Sequence, residues 1–180
     1  ATGGINLGKN NQKQVAYYLK GDTATVSPNP DPTINTSTSL GTITGNGVGI
    51  LVDDIKINNT NFVSGMSNQL DYTTGGNTGN GIIGLYVKGD VTTSNKLGYT
   101  GDIKVGASEA STSTPSVTNY AVALYTDKQG TKGSEVTIEN NLTVGEKGVG
   151  LFAGNDSNLI YDTGTITVNT NSTGGTGIYV

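Results

Sequence analysis

GVGLFAGND (Gly148–Asp156) carries a phrase that the chain repeats: glycine, an aliphatic, a small residue, an aliphatic, an aromatic, then an aliphatic or small residue. The wording returns in GNGIIGLYVKGD (Gly79–Asp90), GNGVGILVDD (Gly45–Asp54) and GTGIYV (Gly175–Val180). Aligned on the small residue, six copies fall at Ala16 (VAYYL), Gly49 (VGILV), Gly84 (IGLYV), Ala123 (VALYT), Gly150 (VGLFA) and Gly177 (TGIYV). The intervals are 33, 35, 39, 27 and 27 residues, lengths typical of solenoids and arrays. Helical repeats of that size need amphipathic helices, and none of these blocks contains one.

Each block instead offers strand-length pieces bounded by Gly, Asn and Asp. Ahead of the phrase stand GTITG (Gly41–Gly45), GDIKVG (Gly101–Gly106), LTVGE (Leu142–Glu146) and GTITV (Gly164–Val168). After it come the weaker DIKIN (Asp54–Asn58), GDVTT (Gly89–Thr93) and EVTIE (Glu135–Glu139). Three short strands joined by corners predict one coil of a parallel β-helix; a propeller blade would need about four. The expected fold is all-β, a β-solenoid of about six coils with protruding loops, residues 1–180 forming a single segment. With coils roughly 4.8 Å apart, the rod would be about 30 Å long. SPNPDPTINTSTS (Ser27–Ser39) and ASEASTSTPSV (Ala107–Val117) are too rich in Pro, Ser and Thr for ladder positions and are expected as loops. NFVSGMSNQLDYTTGGN (Asn61–Asn77), richer in apolar residues, is a third excursion expected to pack back on the coils.

Composition narrows the function. Only 33% of the chain is hydrophobic and 28 residues are Gly, so the core must be thin. The apolar residues are patterned, which argues against a disordered polar chain. There is no His, Cys or Trp, and all ten basic residues are Lys. The usual general bases, thiol nucleophiles and zinc ligands are therefore missing, as is the bidentate phosphate fork of Arg. A net charge of −4 argues against a nucleic-acid partner or an anionic membrane surface. No run of apolar residues is long enough for a membrane span. The first and last residues read as cuts through something longer, with no apolar leader at the start.

Strand alternation divides the phrase between two faces. One parity holds Val15, Tyr17 and Leu19; Val48, Ile50 and Val52; Ile83, Leu85 and Val87; Val149, Leu151 and Ala153. This set is expected inside, each fully buried side chain contributing about 1.5–3 kcal/mol. The opposite parity takes the small residue and then Tyr18, Leu51, Tyr86, Tyr125, Phe152 and Tyr179. The rings would form an outward strip, either stacked on one another as a shield for the wall or presented to a sugar or a partner protein. Tyr18, Tyr86, Tyr125, Phe152 and Tyr179 are the candidate ligand-binding residues.

Other motifs carry less. GNGIIG (Gly79–Gly84) matches the dinucleotide fingerprint G-x-G-x-x-G, but that fingerprint opens a helix, and LYVKGDV reads as a strand. Asp22, Asp54, Asp90, Asp127 and Asp156 recur after the phrase; turn chemistry explains them more simply than calcium. Asp53 and Asp54 could in principle form a hydrolytic pair, but adjacent strand residues point to opposite faces. No catalytic residue, metal ligand or cofactor is expected.

At GNGVGILV, GNGIIGLYV, EKGVGLFA and GGTGIYV the chain resembles the passenger segment of a Gram-negative autotransporter (type V secretion), particularly the Gly/Asn/Thr/Lys-rich adhesin passengers of the fusobacterial type. The resemblance spans nearly the whole chain. It implies a right-handed parallel β-helix displayed at the cell surface and anchored through an outer-membrane barrel that this chain lacks. It also implies a non-catalytic adhesin or scaffold whose partners are proteins or glycans on host or neighbouring bacterial cells. A structural spacer and a polysaccharide-active β-helix enzyme are the alternatives. Absence of Cys fits a passenger that crosses the outer membrane unfolded. Open terminal coils would also favour end-to-end self-association.

Overall fold

Threonines alternating with aliphatics form strands here, and Gly–Asn corners end them. The computed structural model describes residues 4–8, 14–20, 43–53, 70–73, 77–88, 97–99, 102–110, 118–128, 135–138, 141–155, 157–161, 163–169 and 173–180. Every regular element among them is a strand, and all pairings but one are parallel. The protein is all-β with mostly parallel sheets.

The repeated phrase builds one six-stranded sheet, its strands paired in chain order: Val15–Lys20, Gly47–Asp53, Ile82–Lys88, Val122–Asp127, Val149–Ala153 and Thr176–Tyr179. The preceding pieces build a four-stranded sheet from Leu70–Asp71, Ile103–Lys104, Leu142–Val144 and Ile166–Val168. Leu97–Tyr99, Glu135–Ile138 and Asn158–Tyr161 form a third, three-stranded sheet. Ile5–Asn6 pairs separately with Ile43–Thr44. Equivalent positions lie opposite one another throughout. Tyr17, Ile50, Leu85, Leu124, Leu151 and Ile178 make one unbroken row across the six strands.

The core lies between the walls. Ile50, Leu85, Leu124 and Leu151 are at most 1% exposed, and Ile103 and Leu142 are fully buried with them. Tyr72 extends the four-stranded sheet through its N–H, which donates to the Lys104 carbonyl at 3.0 Å. Its ring is buried and its hydroxyl donates to the Gly84 carbonyl at 2.7 Å.

The face assignment of the phrase needs one correction. Alternation carried through the small residue put Val15, Val48, Ile83 and Val149 inside and the small residue outside. In the structure Ile82, Leu85 and Val87 are buried in the core, whereas Ile83 is only half-buried and lies outside the core cluster. Val149 is half-buried too, and Val48 and Val122, although buried, lie outside the core cluster. The small residue points inward. A Cβ on Gly84 would stand 2.7 Å from Cγ2 of Ile103, one on Gly150 2.5 Å from Cγ2 of Ile166, and one on Gly49 would overlap the Tyr72 hydroxyl. The ladder registers skip this position in every strand pair of the sheet. The strand therefore bends there, two successive residues face the core, and the alternation restarts. The small residue is needed because the opposite wall comes close at the bend.

Three other expectations change. Leu70–Asp71 is a strand of the four-stranded sheet, not part of an excursion. Glu109–Ala110 and Thr118–Asn119 pair antiparallel, so the base of the 107–117 loop is a hairpin. The third piece of its block is Leu97–Tyr99, whereas 54–58, 89–93 and the 27–39 loop lie outside the described residues. Asn158–Tyr161 is a strand for which no expectation was made.

Candidate functional site on the outer face of the six-stranded sheet

The phrase also determines what the outer face shows. Counting from the bend, the second residue of each strand after the small one points outward, and in register these are Tyr18, Leu51, Tyr86, Tyr125, Phe152 and Tyr179. All five candidate site residues thus share one row, with Leu51 interrupting it after Tyr18. Strand spacing sets the ring spacing. Tyr86 and Tyr125 meet edge to face with centroids 4.5 Å apart; Tyr125 stacks on Phe152 at 4.7 Å and Phe152 on Tyr179 at 4.8 Å, each pair 15° from parallel. Such pairs add about 0.5–1.5 kcal/mol each beyond the area they bury. Tyr18 and Tyr179, at the two ends, are 52% and 54% exposed; the rings between them are half-buried.

Two more rows flank the rings. On one side lie Val15, Val48, Ile83, Val122, Val149 and Thr176, and on the other the register positions of Lys20, Asp53, Lys88 and Asp127. The second is an alternating row of opposite charges beside the rings, and opposite charges facing across strands favour the pairing. Sequence reading missed it, although its signal was present: each charge stands two residues after the outward position. Tyr18 donates a hydrogen bond to Oδ2 of Asp53 at 2.6 Å. Of the acids read as turn residues, Asp127 accepts the Lys128 N–H at 2.8 Å; Asp22, Asp54, Asp90 and Asp156 lie outside the described residues. Gly79 and Gly81 of GNGIIG adopt positive φ of 65° and 64°, and a strand follows them. The glycines serve a corner. Among the described residues no group of three or more His, Cys, Asp or Glu side chains is placed to hold a metal ion, and no helix is long and apolar enough to cross a membrane.

Electrostatics keep the phenols neutral. Burial, then the neighbouring Tyr125 and Asp127, push the Tyr86 hydroxyl above its ordinary value of 10.0. Burial and Asp127 do the same for Tyr125, and the hydrogen bond to Asp53 leads for Tyr18. Burial raises Tyr72, and Tyr161 is raised by burial and Asp102. A folded-state value above the unfolded one gives stability that is complete below the unfolded value and is lost as pH rises through the folded one. The melting temperature is therefore expected to hold to about pH 9 and to fall steeply between about pH 10 and 12. Tyrosinate absorbance should appear together with loss of structure. Full ionisation of every tyrosine near pH 10 with the fold intact would contradict the burial of Tyr72 and Tyr86.

The arrangement is a row of packed rings on the outer face, edge to face between Tyr86 and Tyr125 and stacked from Tyr125 through Phe152 to Tyr179. No protein-family profile, no curated protein and no solved structure matches the chain.

Proposed function

We propose that the chain is a right-handed β-solenoid of about six coils, part of an autotransporter-type passenger. Its job is to carry a contact strip at the bacterial surface as a non-catalytic adhesin segment. The observation that supports this reading is the continuous row of rings along one outer face, Tyr86 to Tyr179, beside a second row containing the half-buried Ile83 and Val149. Exposed apolar strips of this kind are unusual on inert monomers. The partner is a protein or glycan on a host or neighbouring cell. Because Phe152 is stacked face to face with both Tyr125 and Tyr179, an apolar protein surface fits that part of the strip better than a sugar lying flat on a ring.

The same stacking supports a second reading, a purely structural spacer in which the rings shield the wall. A double variant, Tyr86→Ser with Tyr125→Ser, separates the two on glycan arrays and in binding to whole cells. Loss of at least ten-fold in binding, with the melting temperature lowered by a few degrees, is expected. Unchanged binding with the same loss of stability would make the strip a shield. A reducing-end assay on any glycan bound addresses the polysaccharide-active alternative.

A further inference from the structure

Among the described residues, one exposed large hydrophobic lies in the middle of the stack: Tyr120, 55% exposed. It stands at the corner where the hairpin of Glu109–Ala110 and Thr118–Asn119 meets the fourth strand of the six-stranded sheet. Three coils hold that corner. Asn80, one coil earlier, accepts the Ala107 N–H at 2.9 Å and donates to Oε2 of Glu109 at 3.4 Å. Ser108 Oγ accepts the Ala121 N–H at 2.9 Å and donates to the Lys147 carbonyl of the next coil at 2.8 Å. The Ser108 N–H donates to the Glu146 carbonyl at 2.9 Å. The hairpin base is thus tied into the wall.

Lys147 is the second anomaly of the corner. Val122 faces Val149 across the ladder, so Tyr120 and Lys147, each two residues earlier, hold equivalent positions on adjacent coils. Lys147 is exposed and has a φ of 55°, the one positive φ outside glycine among the described residues. Equivalent positions on other coils are Gly81 and Gly174, with φ of 64° and 77°. Glycine adopts that conformation freely, whereas a residue with a Cβ is strained in it. The corner keeps a lysine where glycine would fold with less strain.

The charges of the corner select a ligand class. Glu109 pairs with Asn119, the residue before Tyr120, and Glu146 precedes Lys147. Two carboxylates oppose an anionic ligand and the ammonium opposes a cationic one. Together they supply the acceptors and donors that hydroxyl groups need. An amphipathic ring such as Tyr120 suits the C–H face of a sugar. We infer that this corner is a binding site for a neutral glycan: Tyr120 stacks on one sugar ring, Glu109 and Glu146 accept from its hydroxyls, and Lys147 donates to them. The site adds a ligand to the adhesin reading and does not depend on what the ring row touches. A single ring platform binds a free disaccharide weakly, in about the millimolar range; many copies on one surface raise the strength through avidity.

An NMR titration of the chain with lactose, cellobiose and maltose tests the assignment. Saturable shifts at the amides of Glu109, Tyr120 and Lys147 with at least one of the three are expected. Tyr120→Ala should weaken binding about ten-fold or more, with circular dichroism matching the parent because the side chain is exposed. Lys147→Gly separates binding from folding. It should weaken binding yet leave the melting temperature equal or higher, since glycine relieves the strained backbone. No saturable shift with any of the three sugars, or shifts confined to the ring row, would overturn the site. Parent-like binding by Lys147→Gly, or its melting below the parent, would overturn the part given to Lys147. Because the probes are free disaccharides, a negative result counts against this corner alone and not against contacts of the strip with proteins or cells.

Discussion

Replacing Leu124 by Ala is expected to lower stability by about 2–5 kcal/mol, a fall in melting temperature on the order of 10 °C for a chain of this length. Leu124 is fully buried, and its row neighbours Leu85 and Leu151 are at most 1% exposed. Removing three carbons there leaves a void that rigid strands above and below cannot close, so a cavity cost adds to the lost transfer energy. The comparison that gives this prediction its force is Val149→Ala. Val149 is an aliphatic in the same phrase, and simple alternation places it on the same face as Leu151. It is only half-buried and lies outside the core cluster, so its truncation should cost about 1 kcal/mol. Thermal melts of the two variants measure the difference. Equal losses would mean that the strand does not bend.

That contrast marks where the sequence was informative. The six-stranded sheet was legible because glycine opens four of the six copies and the small residue recurs in all six. Once those copies stack, the ring row follows, since every ring stands two residues beyond the small one. The bend was not legible: a period of two contains no sign of its own interruption, and both Ile82 and Ile83 are isoleucine. What reveals it is Tyr72 or Ile103 on the facing wall, a contact between residues far apart in the chain. The strand at Leu70–Asp71 escaped for another reason. Two residues are too short to show alternation, and Tyr72, which fills the core beside them, reads in sequence as part of an excursion that packs back on the coils rather than as a neighbour of a ladder strand. The charge row lay in plain letters, but its meaning depends on Asp53 meeting Lys88 across a ladder, which needs the register. Partner identity is a different kind of quantity. Periodicity specifies that rings line a face; it carries no information about the surface that meets them.

Gly84→Val is expected to be the more damaging change, costing about 3 kcal/mol or more. The new Cβ alone would stand 2.7 Å from Cγ2 of Ile103 and 2.8 Å from the Ala123 carbonyl oxygen. One obstacle is a buried side chain in the opposite wall, the other a backbone atom of the neighbouring strand, and neither can retreat without disturbing a ladder. The two methyl groups of valine aggravate both contacts. Gly84→Ala should be intermediate, at about 1–3 kcal/mol. The control is Gly177, the same position in the last copy, where an added Cβ meets nothing within 4 Å. Gly177→Ala should be neutral or stabilising by a few tenths of a kcal/mol, because alanine restricts the unfolded chain. Melting curves for the three variants decide between two accounts of the small residue. If it faced solvent, Ala would be tolerated equally at 84 and 177. If it faces the opposite wall, tolerance depends on whether that wall is present, and position 84 fails where 177 does not. The second outcome divides the phrase into parts with different duties. The small residue and the aliphatic after it belong to the interior and cannot be exchanged, whereas the ring one place further on is constrained only by its neighbours in the row and by whatever the strip touches.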